Sequence, residues 1–126
     1  MQGNDKYVNM YCMKNTRPIS WIKAARKDFL TFPEDVQLDI LSALTIAAEG
    51  GKSDNAKPFK GADAGVFEIT LRHQGDAFRT IYAVKIGADI WVIHAFQKKT
   101  KTGIKTPQLD IDLIRERLKR LKEVIQ

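Results

Sequence analysis

VFEITLR (residues 66–72), AFRTIYAVKI (77–86) and IWVIHAFQ (90–97) are separated only by the turn-forming HQGD (73–76) and GAD (87–89). Three strand-like runs joined by such short connections predict an antiparallel meander. The first run alternates cleanly: Phe67, Ile69 and Leu71 point one way, Glu68, Thr70 and Arg72 the other. In the second, Phe78, Tyr82, Val84 and Ile86 share a face, while Arg79, Ile81, Ala83 and Lys85 take the opposite one. The third is almost continuously apolar, as expected of a central strand covered on both sides. One face of the sheet is therefore apolar. The other is more polar and carries Glu68, Arg72 and Arg79.

Upstream of the meander, PISWIK (18–23) reads as a short strand and KAARKDFLTF (23–32) as a short helix stopped by Pro33. PEDVQLDILSALTIAAEGG (33–51) reads as a long helix. Pro33 suits its first position, Glu34 and Asp35 suit the positive end of its dipole, and Gly50 and Gly51 can end it. Val36, Ile40, Leu41, Leu44, Ala47 and Ala48 form its apolar face. KSDNAKPFKGADAG (52–65) reads as a loop. Downstream, a last helix begins near Thr106 as N-cap with Pro107 just inside. Ile111, Ile114, Leu118, Leu121 and Ile125 make its seam, with Arg115, Lys119, Arg120 and Lys122 off it. The order strand, helix, helix, three-stranded meander, helix predicts a small α+β domain whose helices lie mainly on one sheet face.

The chain has 126 residues, enough for one domain, assigned to 17–126; residues 1–16, polar and aperiodic, read as a disordered N-terminal extension. Hydrophobic content of 44% supports a core. The net charge of +6 favours an anionic partner without saying which. A lone cysteine, Cys12, excludes an internal disulfide and fits a reducing compartment. No Cys/His spacing suggests zinc, and no cofactor or metal is expected. Without a signal peptide or a long apolar run, a cytoplasmic protein that does not enter membranes is expected.

Where the third strand stops, HAFQKKTKTGIKTP (94–107) concentrates Lys98, Lys99, Lys101 and Lys105 ahead of the basic last helix. Such a run is either a solvated loop or a seat for an anion. Together with GVFEITLR (65–72) and AFRTIYAV (77–84), it resembles the RelE/ParE superfamily of toxins, closest to its HigB-like, phage-derived branch. The resemblance spans roughly residues 18–122. It implies a compact sheet with helices to one side. It also implies the toxin of a two-gene toxin–antitoxin module, neutralised by a small antitoxin that often has a helix-turn-helix domain. Many such toxins cleave mRNA on the ribosome, whereas the ParE branch inhibits DNA gyrase. A binding module without catalysis is the further alternative.

RNA cleavage without a metal needs three things. The 2′-hydroxyl must lose its proton, charge building on the phosphate must be stabilised, and the leaving oxygen must be protonated. Arg79 is the leading candidate for the second role, since guanidinium binds phosphate through two parallel hydrogen bonds; the plainer reading is a surface arginine lying on the sheet. Lys98 and Lys99 match the basic pair that follows the last strand in the family. Alternation sends only one of them to the Arg79 side, and a bulge would swap which. His94 reads either as an acid–base group or as a buried histidine bonded to backbone. Glu68 is a base or the structural partner of Arg72 or Arg79. The best-known ribosome-dependent toxins carry lysines on this strand, where the present chain has Glu68 and Thr70. Arg72, Lys57, Lys60, Lys101 and Lys105 are candidate RNA-phosphate contacts.

Overall fold

The computed structural model describes residues 16–99 and 106–125. Eight elements follow one another: β1 (Ile19–Trp21), α1 (Lys23–Phe29), α2 (Glu34–Ala48), β2 (Ala56–Pro58), β3 (Val66–His73), β4 (Asp76–Ala83), β5 (Ile90–Lys99) and α3 (Gln108–Ile125). They build one five-stranded sheet in the order β1-β5-β4-β3-β2. The meander β3–β4–β5 is antiparallel, and β1 joins its outer edge parallel to β5. The β3–β4 turn places Gln74 at φ 52° and Gly75 at φ 87°, the left-handed pair that a tight two-residue hairpin requires.

Strand β2 lies inside the segment read as the loop 52–65. Three residues ending in Pro58 carry no alternation that sequence could show. They become a strand because β3 offers them a free edge, where a proline is tolerated. Conversely, β4 ends at Ala83 rather than Ile86, and the chain bends away before Gly87.

Two cores flank the sheet. On one side α1, α2 and the turn between them bring Phe29, Phe32, Val36, Ile40 and Leu44 against Ile69, Phe78, Tyr82 and Val92. Leu41, expected on this face, is 38% exposed, and Ala43 is buried in its place. Helix α2 is entered through Pro33 as its N-cap, with Glu34 and Asp35 in the first turn, and it closes through Gly50 at φ 95°. On the other side α3 lays Ile114 and Leu118 over Ile81, Ala83, Ile86 and Ile93. Two of the three helices thus share one face, and the third seals half of the opposite one, so only part of the polar face is open. No described helix is long and apolar enough to cross a membrane.

Between Ile81 and Tyr82 the β4–β5 register slips by a bulge: Ile81 pairs with His94, whereas Tyr82 pairs with Val92. The extra residue, Ile93, turns into the α3 core, while Val92 remains in the α1/α2 core. His94, Phe96 and Lys98 accordingly follow Ile81, Arg79 and Ala77 onto the α3 face. Strict alternation groups His94 with Ile90 and Val92 as well, and the bulge separates them.

Candidate functional site

The register arranges the charged residues in rows across the α3 face. Lys57 lies opposite Glu68, which lies opposite Ile81, which lies opposite His94. The next row is Thr70, Arg79 and Phe96, and the last is Arg72, Ala77 and Lys98. Arg79 therefore sits one strand over and diagonal to Glu68, close enough for long side chains to meet. Its Nη1 donates to Glu68 Oε2 at 2.5 Å. Both residues are buried, Glu68 at 4% and Arg79 at 3% exposure. Arg72 is exposed and does not take this role. Neither a surface arginine nor a free phosphate-binding one describes Arg79: its guanidinium is sunk in the sheet and held by a carboxylate.

The same Glu68 oxygen accepts a hydrogen bond from Thr106 Oγ1 at 3.2 Å. Thr106 is thus not the cap of α3. The first backbone bonds of that helix, from Asp110 and Ile111, end on Pro107 O, and the Thr106 hydroxyl is turned toward the ion pair. Above the pair opens a cleft of about 480 Å³ with Lys57, Lys60 and Thr106 on its rim and Phe59 and Ile111 as apolar walls. A neighbouring cleft of about 240 Å³ reaches Arg79 from the other side, past Asn55, Thr70 and Arg72. Lys57 and Arg79 line both. One buried cation with its carboxylate thus lies beneath three exposed cations, Lys57, Lys60 and Arg72. Such a surface can take an anion at the rim and present a carboxylate acceptor below it.

His94 is buried and lies outside this arrangement, separated from Glu68 by Ile81. Its Nε2 meets Asp110 Oδ1 at 2.7 Å and its Nδ1 meets Arg117 Nη1 at 3.2 Å. Since guanidinium can only donate, Nδ1 accepts and Nε2–H donates to Asp110. The expected backbone bond goes instead to Arg117, whose Nη1 also donates to Ile93 O at 3.0 Å. His94 stacks on Phe96 with ring centroids 5.1 Å apart. Asp110 and Arg117 were not singled out from sequence. Their signal is that, four before and three after Ile114, they fall on the helix seam rather than off it.

Lys98 lies on the Arg79 side, opposite Ala77. Lys99 closes β5 in register with Asp76, and its side chain lies outside the described residues, as do Lys101, Lys105 and the N-terminal residues 1–15. Among the described residues no group of three or more His, Cys, Asp and Glu is clustered to hold a metal ion.

This fold defines a class. It superposes on the free form of a double arginine-to-alanine mutant of the E. coli toxin RelE, with a TM-score of 0.57 at 18% identity, covering 83% of this chain and 97% of that one. A weaker likeness is to the toxin–antitoxin complex RelBE2 of Mycobacterium tuberculosis, with a TM-score of 0.45 at 15% identity over 67% of this chain and 93% of that one. The chain belongs to the family described as Phage derived protein Gp49-like (DUF891), whose model matches residues 27–119. No curated protein matches the sequence. The expected phage-derived family is borne out by the family model, and the expected fold by its likeness to that of RelE.

Proposed function

We propose that this protein is the toxin of a toxin–antitoxin pair, acting as a metal-independent endoribonuclease on ribosome-bound mRNA and neutralised by a small antitoxin that covers the cleft. The observation that carries this reading is the buried Arg79–Glu68 pair beneath the lysine-rimmed cleft. A buried charge pair is a poor device for stability alone. Placed under Lys57 and Lys60, it offers a base and a cation, two of the three groups that 2′-hydroxyl attack needs.

The rim lysines and Arg72 draw in the RNA backbone. Glu68 takes the 2′-hydroxyl proton as the oxygen attacks the adjacent phosphorus. Arg79, held at the correct angle by Glu68 in the resting site, turns its guanidinium to the phosphoryl oxygens as their charge grows. Lys98, on the same face, donates the proton to the departing 5′-oxygen. The products are a 2′,3′-cyclic phosphate and a 5′-hydroxyl. In this reading His94, bonded to Asp110 and Arg117, fixes α3 and takes no part in proton transfer.

The test is a map of mRNA 5′ ends shortly after induced expression in a bacterium. Wild type is expected to generate new ends in register with codons. Glu68→Gln keeps the shape of the pair and is expected to lower the appearance of those ends by roughly 10²–10⁴-fold, the range for loss of a general base. Arg79→Ala combined with Glu68→Gln avoids an unpaired buried carboxylate and should also be silent. Growth arrest with no new ends in wild type would refute the ribonuclease reading and favour a topoisomerase target.

A further inference from the structure

A larger cleft adjoins the one above Glu68. This groove of about 600 Å³ runs between α3 and the segment after β2, its charged lining made of Lys60, Asp63, Arg115, Lys119, Lys122 and Glu123. Lys60 and Gly61 belong to both clefts, so the groove continues directly from the Glu68–Arg79 site. At the far side of that site, Lys57 leads on to Arg72. The three clefts thus form one path with the ion pair in its middle.

The cations along the groove differ in how they are engaged. Lys122 donates to Asp63 Oδ2 at 2.8 Å, and this hydrogen bond holds the Asp63 carboxyl below the usual carboxylate range. That pair is therefore internally neutral. Arg115 is anchored through Nε, which donates to Gly61 O at 2.6 Å, a bond that carries the side chain across the groove from α3 to the facing segment. Lys60 and Lys119 have no partner among the described residues and are exposed. Arg115 and Lys119 stand four apart on α3, so about 5–6 Å separates their Cβ atoms, on the scale of neighbouring phosphates in a nucleic acid strand.

We infer that Lys60, Arg115 and Lys119 form a backbone track that grips the same RNA strand beyond the phosphate attacked at Arg79. This rests on the ribonuclease reading above and extends it from a point site to a strand several nucleotides long. The track engages phosphates, so it adds affinity and register without reading bases.

The probe is 2′-O-methyl RNA, which binds but cannot undergo 2′-hydroxyl attack, at lengths of about 4 and about 16 nucleotides, the range of single-strand site sizes. Wild type is expected to bind the longer strand roughly tenfold or more tightly, beyond statistical gain, with a steeper salt dependence. Arg115→Ala with Lys119→Ala should erase most of that advantage and flatten the slope by about 0.7 for each phosphate no longer neutralised. Binding of the short strand should stay unchanged. Because Arg115 also anchors a loop, Lys119→Glu alone serves as the variant that cannot be blamed on folding. Long-strand affinity and slope equal to wild type in both variants would overturn the track. Short-strand binding without a length advantage in wild type would overturn the track alone. No binding at either length would overturn the track and the RNA-binding step of the ribonuclease reading together. Variants that bind RNA normally but escape an antitoxin would reassign the groove to a protein partner.

Discussion

Glu68 and Arg79 are each buried to more than nine-tenths, so their pair should show the asymmetry of charges removed from water. Removing one partner strands the other, and Glu68→Ala or Arg79→Ala alone is expected to destabilise the fold by about 3–5 kcal/mol. Replacing both with methionine should be neutral or stabilising, by up to about 4 kcal/mol, while abolishing cleavage. Urea unfolding of the wild type, both single variants and the double variant checks this. Additive single losses in the double variant would mean the two charges are not coupled. The two residues were legible in sequence as charges on one sheet face. Their pairing was not, because Arg72 shares the strand and the face with Glu68. Distance along the strand decides it. Four residues put Arg72 about 13 Å from Glu68, whereas Arg79 stands on the adjacent strand, diagonal to it.

At the scale of the element, α3 is held to the sheet by an apolar seam and by one polar bridge. Asp110 and Arg117 close on the two ring nitrogens of His94, and Arg117 also takes Ile93 O, the carbonyl of the bulge residue. The bridge fixes the start of α3, and with it Thr106 over Glu68. Asp110→Ala leaves a buried imidazole N–H without its acceptor. It is expected to cost about 1–3 kcal/mol. The loss should appear as faster amide exchange in α3, with β3 and β4 little changed. Equal acceleration throughout the sheet would show that the bridge is not local to α3. This layer was hidden from sequence reading because alternation assumes an unbroken strand. A one-residue bulge after Val92 moves His94 away from Ile90 and Val92, and its cause is the shape of the two cores rather than any local composition. Strand β2 was hidden for a related reason, since its existence depends on a partner far along the chain.

For the whole molecule, the apolar pattern of the long helices and of the meander was enough to predict the α+β class and the order of every described element except β2. The second core was only half legible. The seam of α3 was plain, but nothing in it says which sheet face it covers. The sheet lies between both cores, and Tyr82 is where the larger core meets a titratable group. It is 1% exposed and stacks on Phe67 with ring centroids 5.4 Å apart. Burial pushes its phenol above the ordinary value of 10.0. The folded state therefore keeps the proton at a pH where the unfolded chain has released it. The stability this proton provides is complete below about pH 10, the unfolded phenol value, and is lost as pH rises from there through the higher folded value. Tyr82→Phe keeps the ring and the stack but removes the titration. The variant is expected to match wild type closely at neutral pH and to lose less stability between neutral pH and the region above pH 10, a difference that thermal or urea unfolding across that range would measure. Parallel alkaline losses in the two proteins would mean that Tyr82 ionises as freely in the fold as in the open chain, and that the lysines and arginines alone set the alkaline limit.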